Sequence, residues 1–205
     1  MILLLLTLVW AKDINVLVID TGTNPITQLN KHLNNTIPDK IGHGTSVVST
    51  IIYGDLDDNN KELCDEIKIN VCNYNNYLDC LRKIKYNDYV NISLSGKPYI
   101  KEEENIFKEM SKLNIPIIVA AGNDGVDVKK HRRYPAYYNI YPNITTVGTY
   151  SKTVKSNTGN NFIYRKGDLK AYNKVGKIEE VYGTSFAAPL YLRELLERRC
   201  NELVH

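Results

Sequence analysis

No apolar run in this 205-residue chain is long enough to cross a bilayer as a helix, which takes about 20 residues. A strong excess of charge of one sign is also missing. The net charge is only +3 and the basic residues are scattered, which argues against nucleic acid as a partner. The short run Lys129-Lys130-His131-Arg132-Arg133 reads as a solvated loop. No Cys-x-x-Cys pair occurs, so the four cysteines do not read as a zinc site. No glycine-rich phosphate loop follows the first apolar run. Asp20-Thr21-Gly22-Thr23-Asn24-Pro25 stands there instead, which excludes a nucleotide-binding α/β domain. Internal repeats, linkers and low-complexity tracts are absent, and 43% of the residues are hydrophobic. One globular domain with its own core is expected. Phenylalanine is scarce, three against fifteen tyrosines, so much of the aromatic surface carries a hydroxyl.

The first residues, Met1 to Ala11, are apolar but too short to span a membrane. Val9-x-Ala11 fits a small-residue cleavage site, and the segment reads as a signal peptide, although it lacks a positive n-region. The expected organisation is a signal peptide over 1–11 and one domain over 12–205, in a secreted or extracytoplasmic protein. An even cysteine count suits two disulfides in an oxidising compartment. Cys64 and Cys72 flank a predicted strand, and at about 3.3 Å per residue they lie some 26 Å apart. A disulfide needs Cα atoms within about 7 Å. Two pairings stay open: Cys72–Cys80 with Cys64–Cys200, or Cys64–Cys80 with Cys72–Cys200.

Apolar strand candidates recur near 14–19, 66–71, 89–94, 115–120 and 143–148. Helical patterns lie between them, over 43–53, 76–86 and 102–113, and again from Phe186 to Glu197. This alternation predicts an α/β fold, with a mostly parallel central sheet and helices on both faces. Residues 151–183, rich in Asn, Lys and Gly, predict irregular structure or a hairpin.

Four short motifs carry chemistry. Tyr182-Gly183-Thr184-Ser185-Phe186-Ala187-Ala188-Pro189 puts a serine at a helix start, where backbone N–H groups and the helix dipole favour negative charge. Val16-Leu17-Val18-Ile19-Asp20-Thr21-Gly22 reads as a buried strand that delivers a carboxylate at its C-terminal end. Gly42-His43-Gly44-Thr45 opens a helix whose stripe is Val47, Val48, Ile51 and Ile52. Val119-Ala120-Ala121-Gly122-Asn123-Asp124-Gly125 ends an apolar run with a carboxamide among small residues. Singly, each is an ordinary turn or cap residue. Together and in this order they are not.

The order Asp, His, Asn, Ser, each in its own motif, resembles the subtilisin-like serine proteases (subtilases, peptidase family S8). The likeness spans about residue 14 to residue 192. It implies Asp20 as the orienter, His43 as general base and acid, Ser185 as nucleophile and Asn123 as oxyanion donor. Val90-Asn91-Ile92-Ser93-Leu94-Ser95-Gly96 resembles the family's substrate-binding strand. Ser93, Leu94, Ser95 and Gly96 should then bind an extended peptide by backbone hydrogen bonds. Ala120, Ala121 and Gly122 should form the facing wall of the first pocket, with Asp124 at its rim favouring a basic residue. The chemistry requires no cofactor. Calcium stabilises many relatives, but no ligand set maps onto Asp55, Asp57 and Asp58, which read as a polar loop. The expected function is a serine endopeptidase acting on peptides or proteins. The alternative is a protease-fold protein that binds such partners without cutting them.

Overall fold

The structure is a computed structural model that describes residues 12–96 and 98–203. The predicted signal peptide lies outside the described residues.

Each predicted strand forms. β1 (Ile14–Asp20), β2 (Ile67–Asn73), β3 (Tyr89–Ile92), β4 (Ile117–Ala120) and β5 (Ile144–Thr149) pair in parallel. A sixth strand, β6 (Ile163–Arg165), extends the sheet beside β5 and was not anticipated, because its residues are all half-buried. The order is β2-β1-β3-β4-β5-β6. Both chain neighbours of the crossover, β2 and β3, flank β1. The strand order therefore reverses at β1, and such a reversal opens a crevice beyond the carboxyl ends of the strands. Residues 151–183 also contain a hairpin, β7 (Leu169–Tyr172) with β8 (Ile178–Val181).

Side-chain alternation along β1 divides the core in two. Val16 and Val18 face one layer with α1 (His43–Tyr53) and α5 (Thr184–Leu203). Leu17 and Ile19 face the other, with α2 (Tyr77–Arg82) and α3 (Lys101–Met110). The short α4 (Val128–His131) follows the turn after β4. The predicted stripe of α1 is fully buried at Val47, Val48, Ile51 and Ile52. Glu102, Glu103 and Glu104 start α3 where its dipole favours them.

Of the two pairings left open, the structure has Cys64–Cys200 and Cys72–Cys80. The Asp55 loop is ion-paired. Asp55 is buried and holds the Lys166 ammonium, Asp58 lies 3.5 Å from the same ammonium, and Asp57 bonds Lys170. Lysines thus balance the charge a cation would meet there. Among the described residues no His, Cys, Asp and Glu cluster could hold a metal, and none of their helices is long and apolar enough to cross a membrane.

Candidate active site

Asp20 ends β1 on the same side as Val16 and Val18, so alternation turns it toward α1. His43 is the first residue of α1. Its Nδ1–H donates to Asp20 Oδ1 at 2.7 Å, and the Thr21 N–H donates to the same oxygen at 2.7 Å. Gly44 permits this approach: a Cβ there would lie 2.1 Å from the Gly22 carbonyl oxygen. Asp20 is fully buried, and its Oδ2 has no hydrogen-bond partner among the described residues. The carboxylate is therefore committed to the imidazole.

A second carboxylate, Asp39, holds this arrangement and was not anticipated. It accepts from the Gly42 and Thr45 N–H groups at 2.7 and 2.8 Å, and from the Thr45 and Thr21 hydroxyls at 2.8 Å each. Thr21 in turn accepts from Gly44 N–H at 2.8 Å. Asp39 so caps α1 from outside and ties its start to the end of β1. Burial raises its pKa, but the N–H groups of Gly42 and Thr45 and the two hydroxyls outweigh this and hold it below the usual carboxylate value. Burial lowers the pKa of His43. The hydrogen bond and charge of Asp20, with the charge of Asp39, reverse that and raise it above the ordinary 6.5. A carboxylate four residues before a helix-opening histidine was the available signal for Asp39.

Ser185 lies in the first turn of α5, where its N–H has no intrahelical acceptor. Pro189 sits four residues on and has no N–H to give the Ser185 carbonyl. The Ser93 hydroxyl fills that role, donating at 2.8 Å, and is itself held by Asn91 Nδ2 at 2.9 Å. The Ser185 hydroxyl donates to the Ser93 carbonyl at 3.3 Å. Ser93 thus ties the serine turn to the end of β3.

Asn123 follows β4. Its Oδ1 accepts from Thr184 N–H at 3.0 Å, which leaves the carboxamide NH2 to offer beside Ser185. Gly183, at φ +109°, lets the two strands of chain approach, since a Cβ there would lie 2.9 Å from Asn123 Nδ2. Asn157, fully buried, braces the Asn123 turn. Its Nδ2 donates to the Ala121 carbonyl, and its Oδ1 accepts from Asp124 and Val126 N–H. Nothing near Asn157 in sequence signalled this.

His43, Ser93, Leu94, Ser95, Ala120, Gly122, Asn123 and Ser185 border one open cleft of about 440 Å³. Tyr74 and Ile41, not anticipated, border it too. Asp20 lies behind His43. Two expected lining residues do not border this cleft, although Gly96 lines the adjoining cavity with Leu94 and Ser95. Ala121 is fully buried, with its N–H bonded to Val147. Gly96 exchanges both of its backbone bonds with Tyr134 at 2.8 Å, so strand addition would run past Leu94 and Ser95 rather than along Gly96. Asp124 bonds Arg133 Nε at 2.7 Å, which balances the charge expected to attract a basic side chain.

The subtilase family model matches residues 12–191. No curated protein sequence matches the chain. Among solved structures, a lanthipeptide protease superposes with a TM-score of 0.75 at 16% identity, over 92% of this chain and 73% of that one. A cold-adapted subtilisin-like serine proteinase gives 0.73 at 20% identity, over 92% and 77%. The nisin leader peptidase NisP from Lactococcus lactis gives 0.74 at 17% identity, over 94% and 79%. At these identities the structural likeness is one of fold.

Proposed function

The chain belongs to the subtilase family, and from that premise we propose that it is a serine endopeptidase working through Asp20, His43 and Ser185. The observation that carries the reading is the 2.7 Å bond from a buried Asp20 to His43 in the cleft that Ser185 also borders. The serine hydroxyl leaves the Ser93 carbonyl and gives its proton to His43 Nε2 as its oxygen attacks the scissile carbonyl. Asp20 holds the imidazole tautomer and stabilises the imidazolium. The carbonyl oxygen, now an oxyanion, is met by the Asn123 carboxamide and the Ser185 N–H. His43 then protonates the leaving amine. Water, deprotonated by His43, hydrolyses the acyl-enzyme and restores the serine. No step requires a cofactor. The substrate is an extended peptide or protein segment laid along Leu94 and Ser95. The two disulfides support a secreted or extracytoplasmic setting.

One observation favours a second reading, a peptide binder that does not cut: the Ser185 hydroxyl is bonded to Ser93. Labelling with a fluorophosphonate probe, beside Ser185→Ala, separates the two. Labelling of the parent and not the variant is expected. A folded parent that binds peptide but takes no label would overturn the peptidase.

A further inference from the structure

Besides Asp20 at its Nδ1, the His43 imidazole has an aromatic ring packed against it. Phe186 follows Ser185 directly and shares the first turn of α5. Its ring centroid lies 5.4 Å from that of His43, with the planes inclined at 55°. Phe186 is only 5% exposed and belongs to the core cluster that joins α1 to α5. Its ring is therefore held by packing. The imidazole is not enclosed to that degree, with 28% of its side chain exposed.

The imidazole is held by its Cβ–Cγ bond and by the hydrogen bond at Nδ1. A packed ring beside it narrows the remaining range of the plane in which Nε2 points. Phe186 is that ring, and it is next to Ser185 in the first turn of α5. When His43 takes the serine proton it becomes a cation. A cation over the face of an aromatic ring and within about 6 Å of its centroid is attracted by the ring quadrupole, whereas one at the ring edge is not. An aliphatic side chain of similar size would fill the space without that attraction.

We propose that Phe186 is a positioning residue for His43, which narrows the range of the imidazole plane and stabilises the imidazolium through its aromatic ring. The inference rests on the peptidase reading. The charged groups that act on His43 are Asp20 at the end of β1 and Asp39 before α1. Both favour the imidazolium, and the positive N-terminal end of α5 opposes it. Phe186 adds an uncharged contribution of the favourable sign.

The test compares Phe186→Leu and Phe186→Met with Phe186→Tyr in the full chain. The His43 pKa is read by NMR titration of the imidazole protons, which needs no turnover. Kinetics then separate kcat from KM. Both aliphatic variants should lower the His43 pKa by about 0.4–0.7 units, the equivalent of an exposed cation–π contact. They should also lower kcat about 2–5-fold with KM unchanged. Phe186→Tyr keeps the ring and should retain both values. Should one aliphatic variant fail to fold, the other carries the comparison. An unchanged His43 pKa in the aliphatic variants, whether or not kcat falls, overturns the proposal and leaves Phe186 a packing residue. Should the parent neither cleave nor label, the peptidase reading fails, while the NMR comparison still reports on the two rings.

Discussion

Asn123 and Asp39 act at the scale of single side chains, and they act differently. Asn123 would meet charge that exists only after attack, so it should matter to kcat and little to KM. Replacing an oxyanion donor costs about 2.7–4 kcal/mol. Asn123→Ala should therefore lower kcat about 10²–10³-fold in steady-state assays and keep residual activity, whereas Ser185→Ala should keep almost none. Equal losses would remove Asn123 from that role. Asp39 touches no substrate. Its charge helps raise the His43 pKa above 6.5. In the proposed mechanism the base form of His43 is the active one, so activity should fall as pH drops through that raised value. Asp39→Asn removes one charge favouring the imidazolium. The acid limb of kcat/KM should then move to lower pH. Four donors also lose an ionised acceptor, so the thermal midpoint should fall as well. A variant with an unmoved acid limb would mean that Asp39 only braces the α1 start.

At the scale of elements, the site is the meeting of two helix starts with three strand ends. α1 brings His43 to β1, and α5 brings Ser185 between β3 and β4. Gly44 sets how closely α1 can approach. The atom it would strike is the backbone oxygen of Gly22, which cannot swing aside. Gly44→Ala should cost about 1–3 kcal/mol in denaturant unfolding, as overpacking does. It should also move His43 away from Asp20 and lower kcat by at least tenfold. An active, equally stable variant would mean that the turn after β1 yields. Pro189 is an element-scale device of another kind. A proline inside a helix would normally be disruptive, but at this position it withholds one N–H and leaves the Ser185 carbonyl to Ser93. Sequence periodicity does not reveal such a contact. The helix it interrupts nonetheless runs on to Leu203, past the predicted end at Glu197.

Over the whole molecule, Cys64–Cys200 closes a loop of 136 residues and ties the segment after α1 to the end of α5. These are the two helices that carry His43 and Ser185. A bridge across so long a loop restrains the unfolded chain, a contribution of about 2–4 kcal/mol. Cys64→Ser with Cys200→Ser should lower the unfolding free energy by that amount and leave the kinetics of the surviving folded fraction close to the parent. What could be read without coordinates was what local pattern encodes. Apolar runs marked β1 to β5, a 3.6-residue stripe marked α1, and glycine-flanked polar residues marked the strand and helix ends where Asp20, His43, Asn123 and Ser185 stand. β6 was not legible as a strand, and the β7–β8 hairpin was legible only as one of two readings of residues 151–183. Their residues are partly polar and partly exposed, and their pairing partners, not their own pattern, make them strands. The Cys64–Cys200 bridge, the tie of Asp39 to Thr21, the Asn157 brace, the commitment of Gly96 to Tyr134 and the packing of Phe186 on His43 all join parts of the chain well separated in sequence. Sequence alone determined β1 to β5, the stripe of α1 and which polar residues stand at the strand and helix ends, because those follow from neighbouring residues. Only the tertiary structure decided which groups touch, because hydrogen bonds and ring contacts depend on ångström distances that the spacing of residues along a chain does not specify.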